Sequence, residues 1–292
     1  MNKQEQNAVT FALAAVVLWS TVATGFKLGL ELLEPVQLLF LGTLVSTIIF
    51  VVAASISGTW QVNGRTVGES LLFGLINPFL YYLVLFEAYD RLPAQIAQPL
   101  NFTWAIVLAV LAVPLLKQPL SRRTTAGIAL SYFGVVILLT QGDIDSWPVI
   151  DWFGVTLALA STLLWAGYWL LNTRSTTQPL TLMALSFLFA TPLIGFVCIL
   201  GPGLPVLSWK IVGYGVWVGL IEMGVTFLLW QQALRLTGNA GRIGQLIFLS
   251  PFLSLILIGT VLGERIHYTS VIGLGVIVTG LLVTGRPHGT TA

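Results

Sequence analysis

From Ala8 to Phe26 the chain carries no charged residue, and stretches of the same kind recur along its whole length. A transmembrane helix needs about 20 mainly apolar residues. Cutting the sequence at charges and at Pro/Gly clusters leaves ten such segments: 8–30, 35–57, 68–89, 94–116, 124–141, 152–173, 180–201, 210–234, 240–262 and 268–285. Little remains for a soluble domain. Only 8% of residues are charged and the mean hydropathy is +0.92, whereas soluble domains carry roughly 25% charged residues. The chain is therefore read as an integral membrane protein with the lipid bilayer as its surroundings.

Lys and Arg in short loops orient the spans. With the N-terminus inside, nine fall in the cytoplasm (Lys3, Arg65, Lys117, Arg122, Arg123, Arg174, Arg235, Arg242, Arg286) and four outside (Lys27, Arg91, Lys210, Arg265). Both termini are thus expected in the cytoplasm. The first apolar run begins too close to its small residues Ala12 and Ala14 for a cleavage site, and reads as a retained helix. One cysteine, Cys198, excludes an internal disulfide framework, and two distant histidines, His267 and His288, argue against a His-rich metal site. No metal, cofactor or nucleic-acid partner is expected, because the basic residues are scattered through loops. A monomer is the expected state, with a dimer as the alternative.

A weak internal repeat runs through the sequence. "LAAVVLWSTV" (Leu13 to Val22) aligns with "LASTLLWAGY" (Leu159 to Tyr168), placing Trp19 over Trp165, and "FGLIN" (Phe73 to Asn77) aligns with "VGLIE" (Val218 to Glu222). Gly127 and Gly134 align with Gly273 and Gly280. Five spans per half is an odd number, so the second copy enters from the opposite side. The expected fold is all-α, with ten transmembrane helices as two inverted five-helix repeats, residues 1–146 and 147–292, around a central cavity in one membrane domain. Such repeats are common in secondary transporters, whose site lies near the midplane between the halves.

"LSPFLSLILIGTVLGERI" (Leu249 to Ile266) resembles the penultimate-helix signature of the EamA-type repeat: a Pro entering the helix, small and aliphatic residues, then Gly-Glu at its end. With its five-plus-five arrangement the chain is similar to the drug/metabolite transporter superfamily. The first half departs from this pattern, with Lys117-Gln118-Pro119 in place of Gly-Glu. "LWST" (Leu18 to Thr21) and "NFTWA" (Asn101 to Ala105) resemble bacterial inner-membrane exporters of aromatic and other amino acids, where the second stretch reads Asn-Tyr-Leu-Trp-Pro; here Ala105 replaces the Pro. The resemblance implies export of a metabolite across the inner membrane.

Candidate site residues follow from depth. Glu222 lies in the middle of an apolar span, where a charge costs about 2.5–3.5 kcal/mol and usually faces a cavity or a partner; the alternative is a protonated carboxyl acting as structural glue. Its counterpart Asn77 precedes Pro78, which removes a helix hydrogen bond and kinks the helix. Tyr81 shares the face of Asn77, and Tyr82 is turned by about 100°. Ser161, Trp165, Tyr168 and Trp169 form one helical stripe. Trp19 and Trp165 are too deep for an interfacial belt, and read as cavity walls or as interhelical packing. Asn101 and Gln245 offer amides, and Pro99 and Pro251 mark further kinks at corresponding places. Trp60, Trp152 and Trp209 fit the belt, Lys27 a snorkelling side chain, and Ser20 and Thr21 helix packing.

Three functions compete. In the first, amino acids are exported by alternating access, with aromatic or bulky side chains stacked on Trp19, Trp165 and Tyr82, and Glu222, Asn77, Asn101 and Gln245 meeting the ammonium and carboxylate. The second is a multidrug or other small-metabolite exporter; hydrophobic cations suit rings and Glu222, whereas phosphorylated cargo lacks buried basic residues. The third, an intramembrane enzyme, lacks both a His-Glu-x-x-His signature and a buried Asp pair, and there is no Walker A loop for ATP-driven work.

Overall fold

The computed structural model describes residues 3–116, 122–141, 150–172, 174–237, 243 and 246–284. Among them the chain is helical with no strand, as expected where backbone groups have no water to bond and must satisfy one another within a helix. Among the described residues six helices are long and apolar enough to cross a membrane: Lys3–Leu30, Pro35–Ile56, Gly64–Arg91, Trp152–Asn172, Pro179–Leu200 and Trp209–Leu236. Shorter apolar helices are Thr125–Leu139, Leu246–Val261 and Tyr268–Val283. Exposed apolar side chains such as Phe133, Phe196, Ile199 and Leu200 make an outer surface suited to lipid tails.

Several helices are interrupted where the sequence supplies a hydroxyl or a proline. Helices α1 (Lys3–Ser20) and α2 (Val22–Leu30) meet at Thr21. Here Ser20 Oγ donates to the Val17 carbonyl at 2.7 Å and Thr21 Oγ1 to the Leu18 carbonyl at 2.6 Å, and hydroxyls bonding back in this way compete with the helix ladder. Beyond α3 (Pro35–Ile56) and α4 (Gly64–Gly74), a wide-turned stretch, Leu75–Leu80, leads into α5 (Tyr81–Arg91). Asn77 there has an extended backbone (φ −142, ψ 119), consistent with the restriction that a following proline imposes. The apolar segment 94–116 is divided at Thr103 into α6 (Ala94–Phe102) and α7 (Trp104–Leu116), with Thr103 Oγ1 donating to the Leu100 carbonyl at 2.7 Å.

The remaining elements are α8 (Arg122–Leu139), α9 (Trp152–Asn172), α10 (Pro179–Leu200), α11 (Trp209–Trp217), a second wide-turned stretch Val218–Val225, α12 (Thr226–Leu236), α13 (Ser250–Val261) and α14 (Tyr268–Thr284). Proline begins α3 and α10 in the first turn, where its missing N–H would have no helix partner. Pro251 does the same for α13, after a 3₁₀ turn at Leu246–Leu249. Pro251, read from the sequence as a kink, stands where that 3₁₀ turn passes into the α-helix.

The halves meet in reciprocal pairs: α1 packs along α12 and α5 along α9, while α8 lies on α14. A methyl added at Gly134 would come within 2.7 Å of the Gly273 carbonyl, one added at Gly280 would clash with the Gly127 carbonyl, and Ser131 Oγ donates to the Ile277 carbonyl at 3.0 Å. Rising numbers on α8 thus face falling numbers on α14, so the two run antiparallel. Close backbone approach through small residues is the membrane substitute for a hydrophobic driving force between helices.

Candidate functional site

The site begins with how the second wide turn is held. Gly219 crosses α3 so closely that a methyl there would clash with the Gly42 carbonyl, and Ser46 Oγ donates to the Gly219 carbonyl at 2.8 Å. Fixed in this way, the turn directs Glu222 into the bundle, where it is 9% exposed. Glu222 Oε1 accepts a hydrogen bond of 3.0 Å from the Tyr82 hydroxyl, whereas Oε2 has no partner among the described residues. The Trp19 side chain faces the same carboxyl. A buried carboxyl faced by neutral donors, with no basic partner among the described residues, is costly, which makes it the chemically most distinctive group of the cluster.

Rings surround this carboxyl. Tyr81 stacks on Trp165 with centroids 4.6 Å apart, and Trp165 stacks on Tyr168 at 5.6 Å. Trp169 meets Trp165 edge-on at 5.9 Å, and its indole Nε1 has no partner among the described residues. Phe227 lies 5.8 Å from Trp19 and 5.9 Å from Trp165, edge-on to both, and Trp230 lies 5.5 Å from Trp19. Trp19 and Trp165, aligned in the sequence, are thereby joined through one ring of α12. The Trp165 ring thus stands between those of Tyr81 and Tyr168 and stacks on both.

The amides lie on the other flank. Asn77 is buried beside the Tyr168 hydroxyl, with its Oδ1 unpartnered among the described residues. Asn101 Nδ2 donates to Ser161 Oγ at 3.0 Å, and the Tyr81 hydroxyl reaches Asn101 Oδ1 at 3.5 Å. Pro99 is buried inside α6, close to the end of that helix at Thr103. Gln245 lies outside the described residues. Tyr81 and Tyr82 both point inward although they leave the helix in different directions, because α5 is covered by α9 on one side and by α2 and α3 on another, with Glu222 of the second wide turn reaching the Tyr82 hydroxyl.

Reading the sequence missed Phe227 and Trp230, which stand out only by chain order after Glu222. It named Lys27 and the Gly-Glu pair but not their partners at the α5–α6 turn. Lys27 does not snorkel: its Nζ donates to the carbonyls of Tyr89 (2.8 Å) and Leu92 (3.1 Å) at the end of α5, where a helix C-terminus attracts a cation. Glu264, the acid of the Gly-Glu pair, accepts from the backbone N–H groups of Ala94 (2.9 Å) and Gln95 (3.3 Å) at the start of α6.

Known proteins match this chain along most of its length. The EamA-like transporter family matches it twice, over residues 6–140 and 152–286. An uncharacterized transporter of Archaeoglobus fulgidus is 25% identical over 290 residues, 97% of this chain and 99% of that protein. The uncharacterized transporter YyaM of Bacillus subtilis is 26% identical over 187 residues, 61% of this chain and 59% of its own. A solved crystal structure covers 95% of this chain and 96% of its own with a TM-score of 0.66 at 18% identity, a likeness of fold alone. Matched in both halves, this multi-pass membrane chain belongs to the EamA-like transporter family of the drug/metabolite transporter superfamily, whose members are transporters and not enzymes.

Proposed function

We propose that the chain exports amino acids, aromatic and other neutral ones, across the bacterial inner membrane by alternating access. Its frame is ten spans in two inverted repeats, 1–146 and 147–292, with both termini in the cytoplasm. Supporting the inversion, α8 and α14 pack antiparallel through glycines that align in the sequence. The observation that carries the substrate reading is the Glu222 carboxyl, bonded by Tyr82 on one oxygen and buried without a hydrogen-bond partner among the described residues on the other, at the edge of stacked rings. A cargo ammonium takes the unpartnered oxygen once the rings part, which converts a costly lone charge into a charge-assisted hydrogen bond. A planar cargo side chain displaces ring–ring contacts of Trp165, Tyr81 and Tyr168 with contacts of the same kind. Asn77 and Asn101 offer amides for the cargo carboxylate.

The test is counterflow of labelled Trp, Phe, Thr and Met in liposomes holding the purified chain, with and without a pH gradient. Exchange of Trp and Phe, lost in Glu222→Gln, is the expected outcome; no exchange of any of the four overturns the reading. Tryptamine belongs in the same assay, because no basic residue among those described pairs with Glu222. Exchange of tryptamine without tryptophan would reassign the cargo to organic cations.

A further inference from the structure

The turn between α5 and α6 is held from both sides, and the two holds differ in kind. Lys27 reaches it from α2 and stays within the first family match, 6–140. Glu264 reaches it from the second match, 152–286, by accepting from Ala94 and Gln95. Gln95, 5% exposed, adds three further bonds across the same boundary. Its Nε2 donates to the Arg265 carbonyl at 3.0 Å, and its Oε1 accepts from the His267 N–H at 3.2 Å and the Ser270 hydroxyl at 2.8 Å. Five bonds therefore cross from the start of α6 to residues 264–270, all at the end of the molecule that the charge count places outside. The same helix carries Asn101 of the candidate site.

We propose that Glu264 and Gln95 form a latch that closes this end over the site and opens when the halves separate; this rests on the alternating-access reading above. Lys27 and its carbonyls move together within one half, so that staple survives the motion. The five bonds from residues 264–270 do not, because their partners part company. Glu264 is only partly buried, so water replaces its hydrogen bonds once the end opens, and the step is reversible. A bond set present in one state and absent in the other biases the equilibrium toward the first. Glu264 thus acts as a positioning residue through α6, without touching cargo.

The test uses the full chain in liposomes of known orientation, with Cys198→Ser and a reporter Thr24→Cys, a buried position on α2. Labelling by a membrane-impermeant maleimide is followed from each face in turn. Glu264→Gln should raise the rate about ten-fold, the worth of one charge-assisted hydrogen bond, from the face bearing residues 92–94 only. Glu264→Asp should restore protection. Unchanged labelling in a folded Glu264→Gln chain overturns the latch, and so does equal acceleration from both faces, which is what general loosening of the fold would give. Should Glu264→Gln not fold, Gln95→Ala decides by the same readout. The labelling needs no cargo, so failure here is separate from failure of counterflow.

Discussion

The two wide-turned stretches, Leu75–Leu80 and Val218–Val225, occupy matching places in the two halves, yet different residues make them. The first is broken by Asn77 and Pro78: a proline has no N–H to give, and the residue before it is pushed out of the helical region. The second contains no proline and stays helical in its dihedrals; it is widened where Gly219 presses on Gly42 of α3. One interruption is written in the local sequence and the other in a contact with a different helix. The polar residues they present also differ. Asn77 can bond without charge to Tyr168, whereas Glu222 brings a carboxyl that one tyrosine half satisfies. The two stretches therefore stand at matching places and differ in chemistry, with the carboxyl confined to the second.

The inequality can be broken by substitution. Glu222→Gln keeps the volume and removes the charge, so a loss of about 1.5–3 kcal/mol, or roughly ten- to a hundred-fold in export, is expected. Folding should survive, since a neutral amide is cheaper to bury than a carboxylate. Asn77→Ala measured alongside should cost less; an equal loss in initial export rate would make the two positions equivalent after all. Next in size, Gly219→Ala forces a methyl against the Gly42 carbonyl and Val45. Overpacking of this kind costs about 1–3 kcal/mol, read as a lower midpoint of thermal unfolding in detergent; an unchanged midpoint would mean that the second wide turn does not depend on α3. The smallest effect is expected of Tyr82→Phe, which removes one donor and leaves the ring. About 1 kcal/mol, or roughly five-fold in cargo affinity, should be lost. No change in affinity would separate Tyr82 from the working carboxyl.

Much of the fold was legible from the residues. Apolar length located helices, and depth within apolar spans singled out Trp19, Trp165 and Glu222, which the structure brings into one cluster. Local chemistry carried these signals: a charge in mid-span is expensive wherever the helix lies. The breaks at Thr21 and Thr103 were less legible, because a hydroxyl in a helix can point to solvent, to a neighbour or back to its own backbone, and only packing chooses. Lys27 looked like a snorkelling side chain because its partners are backbone carbonyls more than sixty residues away, which no pattern in the sequence marks.

By itself, the sequence determined that the chain lives in a membrane, that its two halves are related, and that a lone carboxyl and two aligned tryptophans lie deep within it. Each of these depends on residue type and spacing along one chain. The tertiary structure alone decided that Phe227 joins the tryptophans, that Tyr82 bonds the Glu222 oxygen, that Gly219 packs on Gly42, and that Glu264 caps α6. All four are contacts between residues far apart in sequence, and their energies exist only once helices have come within a few ångströms of one another.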